Sequence, residues 1–325
     1  MLTPVLAHAG RPPAPHDLPA AWNLDPLVLL ALLLAAWAYR RGQAGGPRRA
    51  ADAWRARCFA GALAALGVAL LSPLDALSGA LASAHMVQHV LLVLVAAPLL
   101  ALSAPSSAIL RGSPLAVRRA AGRWRRRLGL THRNLRALRH PAVAWLLHVG
   151  VLWFWHAAVP YDAALDSHPI HVLEHASFLA TAVLFWHVVI GARASARVSG
   201  GLGVLLVFAM AMQSVFLSVL LTFARTPWYA GYARTTATWG LGPLADQQLA
   251  GVIMWIPAGG IYLAAALALL VLWVRAAEGE ADGADPAAHR RGSSPHRSRR
   301  QAPPPDAVVS GVWCRSALRR GPGAG

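Results

Sequence analysis

Seven apolar runs along this chain approach the ~20 residues a helix needs to cross a bilayer. They are Leu24–Tyr39, Cys58–Leu71, Ala80–Leu102, Ala142–Val159, Ile170–Gly191, Leu202–Phe223 and Gln248–Val274. In hydrocarbon every backbone N–H and C=O must be satisfied within the protein, which leaves only helices or closed barrels. The runs are continuously apolar and rich in Leu and Ala, whereas barrel strands are about half as long and alternate. The sequence therefore predicts an all-α, polytopic membrane bundle of seven transmembrane helices. Of the 325 residues 56% are hydrophobic and only 13% charged, too little charge for a soluble domain of this size. The first two runs are short, and Trp22 and Trp54 are placed to complete them at the interface. No internal repeat or inverted symmetry between halves is visible.

Charge sets the orientation. All thirty basic residues are arginine. Six fall between Arg40 and Arg57, ten between Arg111 and Arg139, two at Arg193 and Arg197, and nine from Arg275 onward. The alternate loops hold only Arg11, Arg225 and Arg234. Basic loops stay cytoplasmic, so the N-terminus is expected outside and the C-terminus inside. The expected organisation is an extracytoplasmic segment (1–23), a transmembrane domain (24–275) and a cytoplasmic tail (276–325). After a short acidic stretch, Glu278 to Asp285, the tail is rich in Pro, Gly, Ser and Arg. It cannot bury a core and is expected to be disordered. The Arg118–Arg127 cluster is expected to face anionic lipid headgroups, not nucleic acid. Ala7-His8-Ala9 has the form of a signal-cleavage site. The apolar stretch before it is too short for a normal signal peptide, which points to a start further upstream. Cys58 and Cys314 both fall on the expected inner side, so neither a disulfide nor a thiolate is available at the outer face.

Against this background the histidines stand out, because ionisable residues inside apolar runs mark function. The third run opens with His85-Met86-Val87-Gln88-His89, and residues four apart share a helix face. The fifth opens with His171-Val172-Leu173-Glu174-His175, which projects two imidazoles and a carboxylate to one side. The fourth ends in Trp153-Phe154-Trp155-His156, its tryptophans most simply an interfacial belt. The seventh begins with Asp246-Gln247-Gln248. Each motif has a structural reading: interfacial histidines bonded to loop carbonyls, Glu174 as a first-turn carboxylate favoured by the helix dipole, Asp246 as a helix N-cap. Their convergence on one level favours a site. His148 and His187 lie deeper and are expected as packing hydrogen-bonders, and Met210, Met212 and Met254 as packing. Pro98 and Pro257, with Gly259 and Gly260, point to kinks.

Imidazoles with one or two carboxylates and no thiolate suit copper or zinc. The candidate metal ligands are His85, His89, His156, His171, His175, Glu174 and Asp246. His85-Met-Val-Gln-His89, Trp155-His156, His171-x-x-Glu174-His175 and Asp246-Gln-Gln-x-x-Gly251-x-x-Met254-Trp255, in this order and spacing, resemble the membrane-embedded caa(3)-type cytochrome c oxidase assembly factor family, known as CtaG. The resemblance runs from about Leu24 to Trp273 and includes Ser72-Pro73-Leu74. In that family a proline more often follows the Trp-His pair closely, whereas here it is Pro160. The resemblance implies a non-enzymatic factor of the bacterial plasma membrane that supports maturation of a haem–copper oxidase. It also implies oxidase subunits and a copper chaperone as partners, and a copper ion held or handed over at the outer face.

Two other readings fit parts of the pattern. His171-x-x-Glu174-His175 matches the inverted zinc-protease motif, in which the glutamate activates a zinc-bound water. That chemistry needs a downstream carboxylate ligand, and only Asp246 could serve. Bis-histidine haem binding would use His148 and His187 on facing helices. A retinal protein is excluded, since the chain has no lysine for a Schiff base.

Overall fold

The computed structural model describes residues 13–44, 50–127, 129, 131–191 and 199–283. Expectations resting on Ala7-His8-Ala9, Arg48, Arg49, Arg193, Arg197, Cys314 and the tail beyond Gly283 lie outside the described residues. All regular elements among the described residues are helical.

Local chemistry sets where the helices begin. The Asp25 carboxylate accepts from the Leu27 N–H at 2.7 Å and the Val28 N–H at 3.2 Å, and Pro26 fills the first position of α1 (Pro26–Gln43). This is an N-cap followed by the one residue with no N–H to lose. After α2 (Ala50–Leu71), Ser72 and Pro73 repeat the device: the Ser72 hydroxyl accepts from the Leu74 N–H at 3.2 Å and opens α3 (Pro73–Ser78).

The third apolar run is one rod, Ala82–Ser103, with a π turn inside it. α4 (Ala82–Val90) passes through Leu91–Ala96 into α5 (Ala97–Ser103). Pro98 has no N–H to return to the turn before it. The turn widens, the Ala97 N–H reaches back to Leu92, and the Val93 carbonyl accepts the Trp186 indole N–H at 2.9 Å instead. Pro98 therefore produces a π turn with a side-chain substitute for the lost bond. Pro257 stays within a continuous helix.

Three short helices follow at one end of the bundle: α6 (Ser106–Gly112), α7 (Leu115–Arg127) and α8 (His132–Leu138). α9 (Pro141–His156) then crosses to the other end. The sequence predicts a span to Val159. The chain instead leaves the helix at Ala157 and turns by 72° into α10 (Ala158–Asp166). In a continued helix the His156 carbonyl would accept from residue 160, and Pro160 has no N–H. That carbonyl accepts the Tyr229 hydroxyl at 3.1 Å, so the displaced proline marks a real corner. α11 (His168–Ile190), α12 (Gly200–Thr222), two 3-10 turns (Ala230–Arg234, Thr236–Trp239) and α13 (Pro243–Gly283) complete the chain. Residues up to Ala277 form one compact unit, and α13 continues past the Arg275 boundary.

Among the described residues five helical stretches are long and apolar enough to span a membrane, or six with the bent α9–α10 pair, where the sequence predicts seven. α1 is not among them, because its last turns hold Arg40, Arg41 and Gln43. The outward faces are apolar: Leu27, Leu33, Leu205, Ile256 and Leu263 are each more than half exposed. Apolar surface on that scale, on helices of spanning length, fits a membrane protein. The interior is closed by Phe178, Phe185, Trp186, Met210, Leu217 and Tyr262.

Candidate metal centre

The helix that carries His85 is held at its start by another helix. Leu81 is extended, and the free N–H groups of Ala82 and Ser83 donate to Asp246 of α13 at 2.6 and 3.2 Å. The Ser83 hydroxyl adds a third bond to the same carboxylate at 2.5 Å. Asp246 is fully buried and caps α4 across the bundle. α13 also packs closely on α12, where Gly251 has no side chain: a Cβ there would lie 2.8 Å from the Thr222 nitrogen and 2.9 Å from the Ser218 carbonyl oxygen. Both oxygens of Asp246 are thus engaged, and the residue stands apart from the ligand set expected for it.

With α4 fixed, His85 faces α11. Ligand atoms of His85, His171, Glu174 and His175 all lie within 4.8 Å of one another. An ion with ligands at ~2.0–2.2 Å holds them no more than about 4.4 Å apart, so the set needs only a small contraction. Glu174 is fully buried. Its Oε2 is 3.4 Å from His85 Nε2 and its Oε1 is 3.5 Å from His89 Nε2. Among the described residues neither oxygen has a hydrogen-bond partner, and the Nε2 atoms of His85, His89, His171 and His175 also have none. The four rings pack against one another, His171 and His175 tilted with centroids 4.2 Å apart and His85 and His89 edge to face at 4.4 Å.

The proton on His85 can be located. The Tyr232 hydroxyl donates to the Ser78 carbonyl at 2.8 Å, and a phenol has one proton. Its oxygen therefore accepts from His85 Nδ1–H at 3.1 Å and from the Tyr161 hydroxyl at 3.2 Å. Burial pushes the Tyr232 hydroxyl well above its ordinary pKa, so it remains a donor across the physiological range. In a neutral His85 ring Nε2 is then a lone pair aimed at a carboxylate oxygen. Two acceptors facing each other in a buried site repel, and a buried carboxylate alone costs on the order of several kcal/mol. A cation resolves both. Pinning one imidazole nitrogen while the other faces the ion is how proteins set a metal-binding tautomer.

The remaining expected ligands separate. His89 adjoins the four-residue group through Glu174. His156 donates from Nδ1 to the Leu152 carbonyl at 2.7 Å, and its ring lies 5.9 Å from that of His89. Gln88 turns to the opposite side, donating to the Ala69 carbonyl and to Asp75, both at 2.7 Å. Trp155 does not belong to an interfacial belt. It is buried and donates to the Ser177 hydroxyl at 2.8 Å, which itself donates to the Glu174 carbonyl at 2.8 Å. Trp153 bonds Gln213 at 3.2 Å. The carboxylate that the zinc-hydrolase reading needs from Asp246 is committed to α4. The cavity beside His148 holds about 40 Å³, far less than the ~300 Å³ at which organic ligand sites begin, so haem does not fit there.

Sequence reasoning passed over Tyr161, Tyr229, Tyr232 and Asp75. The available signal was positional: Tyr229 and Tyr232 lie in the connection between the sixth and seventh runs, which the arginine pattern puts at the histidine end. Asp162 ties that connection down by accepting from the N–H groups of Ala230 and Gly231, both at 3.2 Å. Beside it, a cavity of about 730 Å³ reaches from Pro13 and Asp25 past Asp75 and His168 to His171 and His175, which gives the cluster a route to solvent.

A family model described as cytochrome c oxidase caa3 assembly factor matches residues 30–276. No curated protein and no solved structure matches the chain.

Proposed function

The chain belongs to the cytochrome c oxidase caa3 assembly factor family, and from that premise we propose that it binds copper at the Glu174 cluster and hands it to the oxidase during assembly. The ligands are His85, His171, Glu174 and His175, with His89 and His156 beside them. The observation that carries this reading is the fully buried Glu174 carboxylate, without a hydrogen-bond partner and facing a histidine whose proton is on its far nitrogen. A donor set of imidazoles and one carboxylate suits copper or zinc, and the family's partner is a copper enzyme. Release to a second protein calls for a site without thiolate and with access to solvent, and the 730 Å³ cavity supplies the access.

In the same reading the protein crosses a bacterial plasma membrane seven times, N-terminus outside. α1 and the bent α9–α10 pair complete the five long spans, and the histidine end faces outward. The partners are oxidase subunits and a copper chaperone that loads the cluster. The role is not catalytic: the histidines and Glu174 hold an ion and transform no substrate.

The test is a deletion strain without a redundant homologue. Its oxidase subunits should be made but lack copper and activity, and the wild-type chain should restore both while His85→Ala/His171→Ala should not. Normal oxidase activity and copper content in the deletion strain would exclude the proposal.

A further inference from the structure

Further along α9 from the cluster lies a cavity of about 40 Å³ whose walls include Met86, His89, His148, His156, Met210 and Met254. All six are nine-tenths buried or more, from 0% exposure at His148 to 6% at Met254. Three thioethers and three imidazoles around one small space are a different donor set from the Glu174 cluster, and they include no carboxylate.

Two of the imidazoles are locked in a ligand-ready tautomer. Thr181 gives its one hydroxyl proton to a backbone carbonyl, that of Ser177 at 2.8 Å. At 3.1 Å from His148 Nδ1 its oxygen must therefore accept, and the His148 proton sits on Nδ1. His156 Nδ1 faces the Leu152 carbonyl at 2.7 Å, which can only accept. In both neutral rings Nε2 is thus a bare lone pair, and among the described residues neither Nε2 has a hydrogen-bond partner. An N–H anchored on a protein oxygen with the other nitrogen left free is the habit of metal-ligating histidine.

The chemistry narrows the ion. Thioether sulfur is soft and uncharged and selects Cu(I) over Cu(II), zinc or a hard cation. With no anion in the walls, a single positive charge is far cheaper to desolvate than a double one. A water-sized sphere needs ~10–15 Å³, so about 40 Å³ admits an ion on which side chains close.

We propose that this cavity is a second metal site, specific for Cu(I), held by Nε2 of His148 and by the sulfurs of Met86, Met210 and Met254. His89 lines the cavity and also lies 3.5 Å from Glu174, so it stands between the two sites. The proposal goes beyond the Glu174 assignment and does not depend on it.

The experiment uses the full chain in detergent, titrated anaerobically with Cu(I) against a chromophoric Cu(I) chelator, with copper K-edge absorption recorded on the loaded protein. The wild type should show sulfur scatterers around Cu(I). Met86→Leu/Met210→Leu/Met254→Leu, which conserves volume, should lose the sulfur shell and at least tenfold in Cu(I) affinity. His148→Phe should lose at least tenfold while keeping sulfur. Zn(II), a redox-inert probe of the Glu174 cluster, should bind both variants like wild type. His171→Ala/His175→Ala should do the reverse, losing Zn(II) and keeping sulfur-bound Cu(I). A wild-type Cu(I) shell of nitrogen and oxygen alone overturns the proposal whether or not any variant folds, and so does a loss under tenfold in the methionine variant. Failure of Zn(II) to bind the wild type would count against the Glu174 cluster and leave the inner site standing.

Discussion

At one end of the bundle Glu174, Asp246, His85, His156 and His175 are buried. At the other, Arg118, Arg119, Arg123, Arg125, Arg126 and Arg127 are all exposed on α7, a helix with no buried residue. The arginines are exposed, so each can be solvated without a protein partner. The buried groups have no such solvent. Asp246 is satisfied by three donors from α4. Glu174 is satisfied by none. Two buried carboxylates in one bundle thus divide into one held by donors from a neighbouring helix and one left without a hydrogen-bond partner among the described residues, so partners, not burial, separate them.

The largest effect expected from this asymmetry is all-or-none. Alkaline phosphatase fused after Asp166, at the histidine end, should be active, and fused after Arg126 it should be silent. The opposite pattern would put the cluster on the cytoplasmic side and break the link between arginine placement and site placement.

Asp246→Ala should come next. It leaves the Ala82 and Ser83 N–H groups buried without an acceptor, at ~1–3 kcal/mol each, and frees the turn that carries His85. Thermal unfolding in detergent should show a loss of about 3 kcal/mol, and metal affinity should fall with it. Full stability in this variant would mean that the cap is not what holds α4.

The smallest effect belongs to the arginine end. Arg118→Gln/Arg119→Gln should stay within about 0.5 kcal/mol of wild type in the same unfolding assay, with metal binding unchanged. A larger change would show that α7 is packed against something and is not simply solvated.

The bundle and the histidine pairs could be read in the sequence because polar residues inside apolar runs are conspicuous and helical spacing says which of them share a face. What escaped depended on partners remote in sequence. Asp246 reads as the N-cap of its own helix, yet it lies inside the first turn of α13 and the N–H it caps lies 164 residues away. Tyr232 fixes the His85 tautomer from a connection with no periodicity to reveal it. The corner at Ala157 sits in a stretch that is apolar on both sides, so only Pro160 signals it, and a proline inside an apolar run is also compatible with a continuous membrane helix. Trp155 reads as part of an interfacial belt because a tryptophan near the end of a run has the same sequence signature whether it meets headgroups or a buried serine. In each case the type of residue was visible and the identity of its partner was not.

The central claim is that Glu174 and its histidines form a copper site, and the most direct test is Cu(II) binding to purified protein, followed by pulsed electron paramagnetic resonance beside the variant His85→Ala/His171→Ala. The wild type should bind one Cu(II) here with couplings to several imidazole nitrogens, and the variant should lose two of those couplings and one or more orders of magnitude in affinity for each imidazole removed. Unchanged stoichiometry, affinity and nitrogen couplings in the double variant would contradict the assignment.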